Sequence, residues 1–208
     1  MHRSGTSLLA GILSRLGVNM GIRFREPDAH NQDGYYEDLD WRDLNKEILA
    51  SCGGTWYEPP QLTSVPKHLK ELNVRIERLV AKKNTAANGR LWGFKDPRLC
   101  LTLPIIAPHL PKTQYFRIHR NTDDVVLSLM HRAKLRGYYE DADHWLSLVT
   151  EYLRRSTAFL RENPGATTLL SYEQLVGDTY GNVIGIANSL GITNRDAIIY
   201  AAELVRRP

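Results

Sequence analysis

The chain has 208 residues, 42% hydrophobic and 24% charged, with a formal net charge of +4. This fits a single globular domain over residues 1–208 with room for a real core, and its mild basic excess fits an anionic ligand without naming one. Cys52 and Cys100 stand far apart outside any C-x-x-C pattern, and no stretch approaches the ~20 apolar residues of a membrane span. A disulfide framework, a zinc site and a membrane segment are therefore not expected, and a reducing, cytoplasmic setting is.

Leu8, Leu9, Ile12, Leu13 and Leu16 fall on one helical face and Gly17 follows as a stop, so residues 4–7 form the loop and first turn of a helix. The polar stretch "GIRFREPDAHNQDGYYED" reads as a long loop. Trp41, Leu44 and Ile48 mark a second helix ending near Gly53 and Gly54, followed by the Pro-rich "TWYEPPQL". Ser64 and Pro66 suit the start of a third, striped by Leu69, Leu72, Ile76 and Leu79, and "KKNTAANGR" reads as a polar loop after it. From there strands and helices alternate. "RLWGFKD" and "TQYFRIHR" read as strands. "NTDDVVLSLMHRAK" is a helix with Thr122 as N-cap and Asp123 and Asp124 in its first turn. A long amphipathic helix covers residues 145–160, "ATTLLSYE" is a third strand, and helices follow near 181–190 and 196–206. Such alternation predicts an α/β fold with a parallel sheet covered on both faces, and a site beyond the strand ends "KDPR", "HRN" and "SYE".

The opening "MHRSGTSLLAGIL" has the chemistry of an anion loop. A loop entering a helix presents unpaired N–H groups and a partial positive charge. Gly5 allows close backbone approach, Ser4, Thr6 and Ser7 add hydroxyls, and Arg3 adds a forked cation. The Walker A loop instead places lysine after its second glycine; here Thr6 follows Gly5. On these residues alone, a plain polar helix cap is an equal reading. A second motif tips the balance: Arg120 ends a strand and Ser128 lies eight positions later in the next helix, where the two can converge on a second phosphate.

At these residues the chain resembles the sulfotransferases that use 3′-phosphoadenosine 5′-phosphosulfate (PAPS). "RSGTSLL" resembles their 5′-phosphosulfate loop, and Arg120 with Ser128 their clamp on the 3′-phosphate. "SYEQLVGD" resembles a segment near the family's C-terminal end, with Ser171 in place of an arginine. "NQDGYYED" and "WGFKDPR" resemble bacterial members acting on carbohydrate-like or other small hydroxylated acceptors. The likeness runs to about Gly191. It implies a P-loop-like three-layer α/β/α fold with a central parallel sheet, PAPS as sulfuryl donor, no metal, and an apolar strand directly before the loop. This sequence starts at the loop itself, so the N-terminal strand is missing from it; the expectation is that Met1 is an internal methionine of a longer protein.

The resemblance also implies roles. Arg3 and the N–H groups of residues 5–7 would stabilise charge on the leaving oxygen, and Arg3, Ser4, Gly5, Thr6, Ser7, Arg120 and Ser128 would hold the donor. The general base is expected between the first and second helices: Glu37 first, then Asp33, Glu26 and His30. Glu37 and Asp38 can equally be N-terminal helix charges. Lys95 would contact the sulfate or the acceptor. Asp96 and Arg98 form either a structural pair or part of the site. Tyr35, Tyr36, Trp56 and Tyr57 are candidates to line the acceptor site, Trp41 belongs to the core, and His119 is structural. Arg132, Lys134 and Arg136 either flank the nucleotide or form a solvated face. Two rivals stand beside this reading: a P-loop kinase-like phosphotransferase, and a non-catalytic or degenerate nucleotide-binding module. Nucleic acid is not an expected partner, because the basic residues are dispersed.

Overall fold

The computed structural model describes residues 1–24, 34–61, 63–137 and 141–205. Among them nine α-helices surround a small parallel sheet. The order is α1 (Thr6–Arg15), α2 (Leu39–Ser51), α3 (Leu69–Ala87), α4 (Leu99–Ile106), β1 (Tyr115–His119), α5 (Thr122–Leu135), α6 (Ala142–Glu162), β2 (Thr167–Ser171), α7 (Tyr172–Gly177), α8 (Thr179–Ser189) and α9 (Arg195–Ala202).

The two strands run parallel in register, Tyr115 opposite Thr167 and His119 opposite Ser171. Both therefore deliver their polar ends, Arg120 and Tyr172, to the same edge of the molecule. The crossover between them is α5 and α6, packed on each other through Val125, Leu129, Trp145, Leu148 and Val149. Arg117 Nη1 donates to Thr157 Oγ1 at 2.8 Å and ties β1 to α6.

The apolar stripe of α1 behaves as its periodicity predicts. Leu9, Ile12, Leu13 and Leu16 are buried in one cluster with Ile118 of β1, Leu170 of β2 and Val183 and Ile186 of α8. The far side of α1 meets the end of the chain. Arg15 Nη1 donates to the Tyr200 carbonyl at 2.8 Å, and Gly11 sits where a Cβ would lie 2.5 Å from a Leu204 methyl.

Four expectations are corrected. Helix α3 begins at Leu69, not at the Ser64–Pro66 signal, and runs through most of "KKNTAANGR" to Ala87. Tertiary pairing explains the extension: Lys83 is buried and ion-paired with Asp38. The N-cap of α5 is Asn121 rather than Thr122; its side-chain oxygen accepts from the N–H groups of Asp123 and Asp124 at 2.9 and 3.2 Å. The third strand stops at Ser171, where Tyr172 starts a short helix. "RLWGFKD" forms no ladder; it makes one parallel bridge, Trp92 with Asn19. A strand needs neighbours, and the other flank of this segment faces open space. An apolar cavity of about 780 Å³ runs between it and β1, walled by Leu9 and Leu13 of α1, Leu103 of α4 and Phe159 of α6. Phe94 is held within that wall by stacking on the fully buried Trp41, centroids 3.8 Å apart. Trp41 is thus core, as expected. Helix α4 and helix α7 carry no strong sequence signal and were not expected.

Candidate active site

Gly5 turns the chain into α1 at φ 90°, a conformation that strains any side-chain-bearing residue. A Cβ here would lie 2.5 Å from Tyr172 Cδ2 and 3.2 Å from Ile118 Cδ1, so the loop is pressed onto the ends of both strands. Among the described residues, the N-cap of α1 makes no side-chain bond to the first turn, and such a helix end attracts anions. Ser4 is buried and donates through Oγ to the Met1 carbonyl at 2.8 Å, tightening the loop. Arg3 takes φ 63°, a costly conformation for a non-glycine residue, and its Nε donates to Ser128 Oγ on α5 at 2.8 Å. The two halves of the expected donor site, 125 residues apart, are joined by that bond.

Arg120 closes the same edge. Its guanidinium lies 4.8 Å from the Tyr172 ring centroid and donates to Asp124 at 3.2 Å, while its buried Nε has no partner among the described residues. Glu173 fixes the neighbouring backbone: it accepts from the Asn121 N–H at 2.8 Å and from Ser171 Oγ at 2.7 Å. These two bonds pull the Glu173 carboxyl down to about 2. The Tyr172 ring is thus shared, with Gly5 against it and Arg120 over it.

On the other side of the loop stands Lys95. Its Nζ donates to Ser7 Oγ at 3.3 Å, the Tyr35 carbonyl at 3.0 Å and Glu37 Oε1 at 3.1 Å. Tyr36 takes φ 50°, and this turn aims the carbonyl before it and the carboxylate after it at the same ammonium. The Lys95–Glu37 pair is largely buried, with side-chain exposures of 10% and 9%. Burial lowers the Lys95 pKa, and the charge of Glu37 works against that. Behind it Arg98 Nη1 donates to both oxygens of Asp96, at 2.9 and 3.0 Å. Burial still raises the Asp96 carboxyl to about 6, against the pull of Arg98. Glu37 is no helix-capping charge: Asp38 is the N-cap of α2.

The sequence reading missed His2 and the surroundings of Trp56. His2 is buried, its Nε2 has no partner among the described residues, and its ring lies 4.7 Å from Trp56. Burial, then the charge of Arg98, depresses its pKa well below the ordinary value. Trp56 in turn lies under Arg132, 5.4 Å from the guanidinium. His119 is exposed at the end of β1. Glu26, His30 and Asp33 lie outside the described residues. No group of three or more His, Cys, Asp or Glu with metal-binding geometry occurs among the described residues, and no described helix is long and apolar enough to cross a membrane.

The family model described as "Sulfotransferase family" matches residues 1–196. The chain belongs to the sulfotransferase family. Membership makes this sulfotransferase a transferase of sulfuryl groups in general terms, and the match spans the opening loop, Lys95, Arg120, Ser128 and Tyr172 alike. No curated protein and no solved structure matches it.

Proposed function

We propose that this sulfotransferase moves the sulfuryl group of PAPS to a hydroxyl of a carbohydrate or other small hydroxylated acceptor. The observation that carries the reading is the Arg3–Ser128 hydrogen bond, which brings the opening loop to the helix that follows Arg120. The residues fit such a donor. The glycine turn at Gly5, an α1 N-terminus without a side-chain bond from its N-cap and a buried Arg120 Nε unpartnered among the described residues all favour a ligand with two anionic ends. Residues 3–7 would take the 5′-phosphosulfate end, and Arg120 with Ser128 the 3′-phosphate.

When bound, the donor supplies an activated sulfuryl group on a phosphate leaving group. The protein's part is to position and to balance charge. The Arg3 guanidinium stabilises negative charge on the leaving oxygen. Glu37 accepts the acceptor's hydroxyl proton; Lys95 fixes its carboxylate and bridges it to Ser7, at the donor loop. The same reading completes the fold as a three-layer P-loop-like α/β/α. The cavity between β1 and residues 91–96 supports it, because an extended apolar segment lying there would pair with both flanks.

Thermal-shift titration tests the donor. Adenosine 3′,5′-bisphosphate should raise the melting temperature, and ATP with magnesium should not. A response to ATP alone would assign a kinase-like phosphotransferase, and no response to either a non-catalytic module. Glu37→Gln should bind the bisphosphate normally and lose about 10²–10⁴ in turnover. Unchanged turnover removes Glu37 from the role.

A further inference from the structure

Among the described residues, cations and carboxylates in the site do not balance. Lys95 is matched by Glu37, Arg98 by Asp96 and Arg120 by Asp124. Among the described residues Arg3, Arg132 and Arg136 have no carboxylate partner. They form a line. Arg3 lies on Ser128, Arg132 is one helical turn beyond Ser128 on α5, and Arg136 follows one turn later at the helix C-cap. Arg132 is the anomalous member. Its guanidinium is half-buried over Trp56, 5.4 Å from the ring centroid. Burial first, then the charges of Arg136 and Arg3, push its pKa down to about 10, while Tyr35 and Glu37 act the other way. A helix C-terminus accounts for a solvated cation. It does not account for one desolvated on an indole between two like charges, an arrangement that costs free energy until an anion arrives.

On the reading above, Arg3 serves the donor, and Arg132 lies near enough to Glu37 and Tyr35 to feel their charges. We propose that the acceptor carries an anionic group, held by Arg132 and Arg136 beside the hydroxyl that is sulfated. This rests on the sulfotransfer reading and names its substrate class. A carboxylate, a sulfate ester and a phosphate ester share the required chemistry.

The test uses p-nitrophenyl β-D-glucoside against three charged counterparts: its 6-sulfate, its 6-phosphate and the glucuronide. Binding is measured by calorimetry, with and without saturating adenosine 3′,5′-bisphosphate. At least one charged arm should bind about tenfold tighter than the neutral glucoside, and which one does identifies the group. Arg132→Gln should bring that ratio close to one, Arg136→Gln should reduce it less, and both should keep wild-type affinity for the bisphosphate. A merely structural Arg132 would not change the ratio. If Arg132→Gln does not fold, Arg132→Lys carries the test: it keeps the charge, loses the fork, and should give a reduced preference. No preference in the wild-type protein, or a preference that survives at Arg132, overturns the proposal. A preference that persists while the bisphosphate fails to bind refutes the donor reading and leaves this one standing. The reverse pattern refutes this one alone.

Discussion

Replacing Gly5 by alanine separates backbone strain from close packing at the opening loop. Gly5 sits at φ 90°, where an L-residue costs about 1–2 kcal/mol. The new Cβ would also lie 2.5 Å from Tyr172 Cδ2 and 3.2 Å from Ile118 Cδ1. Forcing a packed ring aside costs about 1–3 kcal/mol more. Gly5→Ala should therefore lose about 2–5 kcal/mol, a large part of the stability of a typical domain. Gly17 is the internal control: its φ is 94°, yet a Cβ there meets nothing within 4 Å. Gly17→Ala should lose only the backbone share, about 1–2 kcal/mol. Urea unfolding of the three proteins gives the difference. Calorimetry with adenosine 3′,5′-bisphosphate gives the functional half, because the displaced Tyr172 ring is the surface on which Arg120 rests, 4.8 Å away. Affinity should fall about tenfold in Gly5→Ala and hold in Gly17→Ala. Equal destabilisation of the two variants, or wild-type affinity in Gly5→Ala, refutes the close contact between loop and ring.

Two further outcomes follow from buried charges. His2 remains neutral in the folded chain well below its ordinary 6.5, whereas the unfolded chain takes up a proton near 6.5. Its contribution to stability is present above that pH and is lost as pH falls, by about 1.4 kcal/mol one unit lower. His2→Gln should thus shrink the fall in melting temperature between about pH 7.5 and 5.5 by about 3–5 °C; equal falls would contradict the burial of a neutral imidazole. Lys83→Met leaves Asp38 without its buried ion-pair partner, at side-chain exposures of 6% and 1%. It should cost about 3–5 kcal/mol in urea denaturation, and a loss below about 1 kcal/mol would mean the pair is not closed in solution.

The parts of the molecule legible in the sequence are those fixed by local chemistry. The stripe of α1 marks core, and the strand–helix spacing from Arg120 to Ser128 and the polar residues after Phe94 mark positions that the structure draws to the opening loop. What was not legible depends on distant partners. "KKNTAANGR" is polar enough for a loop and became helix because Lys83 finds Asp38 across 45 positions. "RLWGFKD" has strand composition and forms one bridge, because pairing belongs to neighbours and not to the segment. Asn121 and Thr122 are both competent caps, and only the backbone at Asn121 decides between them. His2 and Arg132 carry no motif. Their meaning comes from Trp56, which lies between them in space and 54 positions from the first in the chain.

The seating of α1 has a consequence for how the protein is made. Its loop is held by Ser128 and Tyr172, and its far side by Tyr200 and Leu204. A ribosome adding about 5–20 residues per second delivers those last partners about 10–40 s after the loop itself. Until Ser128 and Tyr172 have emerged, Arg3 and Gly5 lack the partners that hold their strained backbone conformations. The opening loop is therefore synthesised well before it is ordered, and a nascent chain that stops before Tyr172 carries the motif without its geometry.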